Sequence, residues 1–217
     1  MTIRHLVIFA REPCLGRVKS RLARGIGALE ALRFYRRTLE ALLRRVGRDP
    51  RWCVWLAVTP DRAARFRVWP RGARVIPQGG GDLGARMARP LRRLPPGPVV
   101  IVGSDIPDAD APRIAAAFRA LGRAAFVFGP AADGGYWLVG AARRSAMPRS
   151  LFREVRWSSE HALADTMSGL PHGTSVAFVD VLNDVDDAED WRRWRDRQSR
   201  PTRGIASAVP PLVAPDD

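Results

Sequence analysis

Short apolar runs alternate along this chain with segments of helical period, and that alternation restricts the fold more than any other feature. "IRHLVIFA" (3–10), "WCVWLAV" (52–58), "ARVIPQ" (73–78), "PVVIVG" (98–103), "AAFVFG" (124–129), "GYWLVG" (135–140) and "SVAFVDV" (175–181) read as strands. Between them, helical spacing predicts a helix from about Arg21 that breaks at 25–27, and a long helix over 28–46 stopped by Gly47. Residues 59–66 read as a short helical start, and 83–94 as a helix interrupted near Pro90. Further helices are expected over 111–121, with Pro112 in the first turn, over 158–170 and over 188–198. Alternating strands and helices predict an α/β sandwich of three layers around a mostly parallel sheet. The link between 124–129 and 135–140 is too short for a helical crossover, so the sheet is expected to be mixed.

Length and composition bound the rest. The chain has 217 residues, of which 46% are hydrophobic, enough for one sizeable core. We expect one domain over 1–198 and a flexible tail over 199–217, "SRPTRGIASAVPPLVAPDD", which is rich in Pro, Ala and Ser. No apolar run approaches the roughly 20 residues that span a bilayer, and two cysteines, Cys14 and Cys53, imply no disulfide framework. A cytoplasmic protein with no membrane partner is expected. The net charge of +14 invites a nucleic-acid reading. However, the basic residues are scattered and interrupted by acids, with no basic stripe interleaved with aromatics, so no nucleic-acid partner is expected. They comprise 35 arginines and one lysine, Lys19.

The strongest strand ends abruptly in "VGSDIPD" (102–108). Open α/β sheets bind ligands beyond the carboxyl ends of their strands, and a carboxylate there can hold Mg²⁺ while phosphate oxygens complete its shell. Asp105 is therefore a candidate metal ligand; Asp108 and Asp110, nearer the next helix, suit helix capping better. In "NDVDDAED" (183–190), Asp184 and Asp186 face the same way if the chain is extended, and paired carboxylates call for a cation. Asp186-x-x-Glu189 also has the spacing of a capping box, so Asp186 reads equally as a cap.

Other stretches admit two readings each. "REPCLGRVKSRLA" (11–23) places Gly16 and Lys19 ahead of a helix, a plausible phosphate cradle although not a P-loop, or else a solvated basic loop. Gly79, Gly81 and Gly84 in "QGGGDLGARM" (78–87) match G-x-G-x-x-G, with Asp105 about twenty residues on. They fit a dinucleotide site, or a backbone passing close to a base or ribose. "GPAADGGYWLVG" (129–140) is by itself a tight turn. His5, His161 and His172 have no metal spacing, and Cys14 has no histidine near it in sequence.

In order, "FAREPCLGRVKSRLA", "GDLGARM", "VIVGSDIPD", "GPAADGGYWLVG", "LFREVRWSS" and "DVDDAEDW" resemble the DUF2064 family, whose members are described as glycosyltransferase-like or as radical-SAM/selenodomain-associated transferase 1. The family is similar to phospholactate and molybdenum-cofactor guanylyltransferases. The resemblance covers about residues 3 to 195 and implies a GT-A-like nucleotide-diphospho-sugar transferase fold. It implies nucleotide contacts from Arg11, Gly16, Lys19, Gly81, Asp82, Leu83, Gly84 and Ser104, a Mg²⁺ or Mn²⁺ ion on Asp105, Asp184 and Asp186, and an acceptor at Asp133, Gly134 and Gly135. Arg11 and Ser20 stand where the family usually has Lys and Thr, "WSS" replaces "WST", and "DVDDAED" replaces "DVDTPED", so that Asp187 adds negative charge.

The expected reaction is metal-dependent nucleotidyl transfer from a nucleoside triphosphate to a small phosphorylated or carboxylated acceptor, releasing pyrophosphate. Lys19, Arg21 and Asp105 are the expected catalytic residues. The alternative is a glycosyltransferase with an NDP-sugar donor. A dinucleotide oxidoreductase on "GGGDLG" and a nucleic-acid binder are further readings.

Overall fold

A computed structural model describes residues 2–66, 69 and 73–199. Of the expected tail, Ser199 closes the last helix, and 200–217 lie outside the described residues.

The sheet is built from β1 (His5–Arg11), β2 (Cys53–Thr59), β3 (Arg74–Pro77), β4 (Val99–Gly103), β5 (Phe126–Pro130), β6 (Tyr136–Ala141) and β7 (Val176–Phe178). Its order is β3-β2-β1-β4-β6-β5-β7. Only β6 runs against its neighbours, β4 and β5, and all other pairs are parallel. The sheet is thus mixed and mostly parallel, as the short link before β6 requires.

Side chains alternate across the sheet with period two. Leu6, Ile8, Val100 and Val102 face one layer, where they meet Leu39, Leu42 and Val46 of α2 (Ala28–Val46) and Ile114 and Phe118 of α4 (Ala111–Ala120). Val7, Val99 and Ile101 face the other, with Met87, Ala88 and Leu91 of α3 (Leu83–Arg93) and Leu163 and Met167 of α5 (Ala162–Ser168). Burial on both faces explains why the strands read as unbroken apolar runs.

A third cluster lies outside this sandwich. Leu22 of α1 (Ser20–Ile26) packs with Ala31 and Phe34, and against them sit Val185 and the tryptophans Trp191 and Trp194 of α6 (Ala188–Ser199). Phe34 and Trp194 meet edge to face at 5.3 Å. Gly25 permits this contact, because a Cβ there would collide with the Ala188 side chain. Docking of α6 on α1 brings the preceding acidic segment back to the end of β1.

Several expectations need correction. α3 runs through Pro90 without interruption: one amide is lost, but Pro90 is buried, and its carbonyl still accepts from Leu94 N three residues from the helix end (Arg93). α5 begins at Ala162, not 158, because Ser158 has φ 60 and the chain turns there. β7 stops at Phe178, after which single hydrogen bonds, Val179 N to Phe128 O and Leu182 N to Pro130 O, carry the chain along β5. The dinucleotide reading also fails on topology. In such a fold the strands flanking the glycine turn are neighbours, whereas β3 and β4 are separated by β2 and β1. Gly84 serves packing: a Cβ there would strike Phe152 and Trp157. Among the described residues, no helix is long and apolar enough to cross a membrane.

Candidate active site

The carboxyl ends of β1 and β4 lie side by side and are locked together by one phenol. Tyr35 of α2 is buried, and its hydroxyl donates to Arg11 O (2.9 Å), accepts from Arg11 N (2.7 Å) and lies 3.2 Å from Ser104 Oγ. Ser104 N in turn donates to Phe9 O. Burial raises the Tyr35 pKa, so the phenol stays neutral and able to donate. The Ser104 hydroxyl is buried and turned to Tyr35, so this expected nucleotide contact braces the strand ends.

Asp105 follows directly. Its carboxylate lies over Gly103, where a Cβ would approach Oδ1 at 2.8 Å, so the glycine leaves room for it. From the other direction, the Leu182 N–Pro130 O bond and the 2.9 Å bond from Ala132 N to Asn183 Oδ1 tie 182–183 to the end of β5. Asp184 and Asp186 follow. Asp105, Asp184 and Asp186 each offer a carboxylate oxygen within 4.8 Å of the others, and they form the one such acidic group among the described residues.

The ambiguity over Asp186 resolves through its neighbour. Asp187 Oδ1 accepts from Glu189 N and Asp190 N, both at 2.9 Å, and Asp190 Oδ2 accepts from Asp186 N and Asp187 N. This reciprocal pair opens α6 and leaves the Asp186 carboxylate free to face the site. The extra charge of Asp187 therefore sits at a helix N-terminus, where it is favourable.

Lys19 completes the cluster. Its backbone is left-handed at φ 49, directly before α1, and its Nζ donates to Asp186 Oδ1 at 2.6 Å and Asp105 Oδ2 at 2.8 Å. The side chain is only 6% exposed. Burial opposes its charge, but Asp105 and Asp186 outweigh burial and raise its pKa. Arg21 Nη1 lies 3.9 Å from Asp186 Oδ2. Asp184 has no such partner. Burial, then the neighbouring charges of Asp186 and Asp105, push it up to about 7. Three carboxylates with one buried ammonium are short of positive charge, and the hard oxygen donor set suits Mg²⁺ or Mn²⁺.

Beside the triad opens a cavity of about 500 Å³. Asp105, Asp184 and Asp186 line it on one side, Phe9, Met87, Ile101 and Trp157 supply apolar wall, and Arg21, Asp133 and Glu160 add charge. Asp133 accepts from Gly135 N at 2.9 Å, fixing the turn, and Gly134 packs so closely on the Glu160 backbone that a Cβ would overlap it. Asp165 accepts from Arg156 N, Nε and Nη2, which holds the segment leading to Trp157.

Arg11, Gly16, Gly81 and Asp82, also expected at the nucleotide, are not among the residues that line this cavity. Asp82 caps α3 by accepting from Ala85 N at 2.7 Å. Gly81 has φ 94, and its carbonyl accepts from Arg86. Gly16 has φ 71 with open space around it, and Arg11 Nη1 reaches Arg17 O at 3.3 Å. Gly103, Met87 and Trp157 were missed as site residues. Trp157 belongs to the "REVRWSS" stretch, where a tryptophan before two serines was the available signal.

The model of a family described as "Uncharacterized protein conserved in bacteria (DUF2064)" matches residues 42–159. A candidate nucleotide-diphospho-sugar transferase from Desulfovibrio desulfuricans G20 is 27% identical, with a TM-score of 0.84, over 93% of this chain and 90% of its own. A 4-diphosphocytidyl-2C-methyl-D-erythritol synthase from Anaerococcus prevotii DSM 20548 has a TM-score of 0.57 at 13% identity, over 91% of this chain and 99% of its own. Rv0371c of Mycobacterium tuberculosis H37Rv, solved in complex with manganese, has a TM-score of 0.53 at 20% identity, over 88% and 97%. The fold is accordingly the GT-A-like fold of nucleotide-diphospho-sugar transferases. No curated protein matches this chain.

Proposed function

The chain belongs to the DUF2064 family, and from that premise we propose that it is a metal-dependent transferase moving a nucleotidyl group from a nucleoside triphosphate to a small acceptor. The observation that carries this reading is the convergence of Asp105, Asp184 and Asp186 within 4.8 Å at the carboxyl end of the sheet, beside a cavity. Nucleotide-using enzymes of this fold and the manganese complex of Rv0371c support it by likeness.

The three carboxylates would hold Mg²⁺ or Mn²⁺, which when bound supplies a Lewis acid for phosphate oxygens. An oxygen of the acceptor's phosphate or carboxylate attacks the α-phosphorus. The bond from that phosphorus to the bridging oxygen breaks, and pyrophosphate leaves with the electron pair. Lys19 and Arg21 stand at the edge of the triad and stabilise the charge gathering on the departing group. The acceptor's body rests against Met87 and Trp157, with the turn of Asp133, Gly134 and Gly135 bounding it. The "GDLG" stretch, Gly81 to Gly84, borders the cavity through Leu83 and would meet the base. A lysine and an arginine beside the metal site favour a triphosphate donor over an NDP-sugar.

Thermal shifts with GTP, CTP, ATP, UDP-glucose and NAD, each with and without Mg²⁺, test this, since a ligand of the native state raises its stability. A Mg²⁺-dependent rise with one triphosphate is expected. A rise with UDP-glucose alone points to glycosyl transfer, and a metal-independent rise with NAD alone overturns the reading.

A further inference from the structure

We infer that the divalent cation enters this site as its complex with a polyphosphate and not as a free ion, an inference that rests on the transferase reading above. Lys19 decides it. Its ammonium is bonded to two of the three carboxylates a cation would use, at 2.6 Å from Asp186 Oδ1 and 2.8 Å from Asp105 Oδ2. The third, Asp184, makes no hydrogen bond to it.

The ammonium cannot step aside freely. Its side chain is 6% exposed, its neighbour Val18 is buried, and its left-handed backbone leads straight into α1. A free cation would have to share Asp105 and Asp186 with the Lys19 ammonium, whose like charge in this half-buried site opposes it, and it brings no acceptor to draw the ammonium away. A polyphosphate brings oxygens of its own. These can accept the Lys19 ammonium and the Arg21 guanidinium, both of which now lean on Asp186, and free the carboxylates for the cation. Every charge then keeps a partner. The ligand class is thus a divalent-metal–polyphosphate chelate, and metal and polyphosphate must reinforce each other's binding reciprocally.

Because Lys19 is the one lysine in the chain, lysine labelled with ¹³C at the ε carbon yields a single side-chain signal. That signal is expected to hold its position with Mg²⁺ alone and to move with Mg²⁺ plus inorganic tripolyphosphate. In parallel, Lys19→Met is expected to bind Mn²⁺ alone about tenfold tighter than the wild type, read by the electron paramagnetic resonance of free Mn²⁺. If Mg²⁺ alone moves the signal as far as the complex does, or if Lys19→Met binds Mn²⁺ no tighter, the inference is overturned while the transferase reading stands. If Mg²⁺–tripolyphosphate changes neither the signal nor the melting temperature, both are overturned. Should the variant not fold, the wild-type signal alone decides.

Discussion

Lys19 Nζ lies 2.6 Å from Asp186 Oδ1, across 167 positions of chain. That contact joins the first loop of the molecule to the segment before its last helix, and it exists because α6 docks on α1 beneath it. The site is therefore assembled by tertiary packing, and its integrity can be tested at the packing as well as at the charges.

Gly25 is a point of close approach in that packing. A side chain at 25 meets Ala188, the first residue of α6. Gly25→Val should cost about 1–3 kcal/mol and weaken Mn²⁺–nucleotide binding, since α6 positions Asp186. Gly80→Ala, with nothing near its Cβ, should stay within about 0.5 kcal/mol of wild type. Urea titration of both variants checks this, and equal midpoints would contradict it.

Tyr35 offers a second test at a distance from the triad. Its hydroxyl holds Arg11 and Ser104, the residues where β1 and β4 end. Tyr35→Phe should destabilise by about 1–3 kcal/mol by leaving buried polar groups unpaired. Leu39→Ala, in the same helix, should cost about 2–5 kcal/mol. Only Tyr35→Phe is expected to lower Mn²⁺–nucleotide affinity severalfold in calorimetric titration, because only it frees the loops carrying Lys19 and Asp105.

Asp184 sets a pH signature. Its folded pKa is pushed up to about 7 from an ordinary 3.8, so between those values the folded chain holds a proton that the unfolded chain has released. In the absence of metal, the group's contribution to stability is full below the lower value and lost as pH rises through the upper one. Asp184→Asn removes the loss. The variant should gain stability over wild type at about pH 8 relative to about pH 5, measured by urea midpoints in a chelator. A gain confined to the acidic side would have the wrong sign.

Much of this was legible in the sequence. Unbroken apolar runs such as "VVIVG" marked strands buried on both faces, and the short link before "GYWLVG" marked the antiparallel β6. The ends of those strands pointed to Asp105, and period-two spacing paired Asp184 with Asp186. What stayed hidden depended on contacts between distant segments. Nothing local shows that Asp187, not Asp186, caps α6, because Asp187-x-x-Asp190 and Asp186-x-x-Glu189 read alike until the chain path is fixed. Pro90 is accommodated inside α3, where it is buried. The single lysine read either as a phosphate ligand or as part of a solvated basic loop, and its pairing with Asp105 and Asp186 follows from how α6 and β4 converge. Trp157 lines the cavity because Arg156 is pinned by Asp165, nine residues on.

Crystals grown with MnCl₂ and a non-hydrolysable nucleoside triphosphate give the most direct test, through an anomalous-difference map at the manganese edge. The account predicts a peak bounded by the carboxylates of Asp105, Asp184 and Asp186, lost in Asp105→Asn. Nucleotide density with no peak there, or a peak held by other residues, would contradict it.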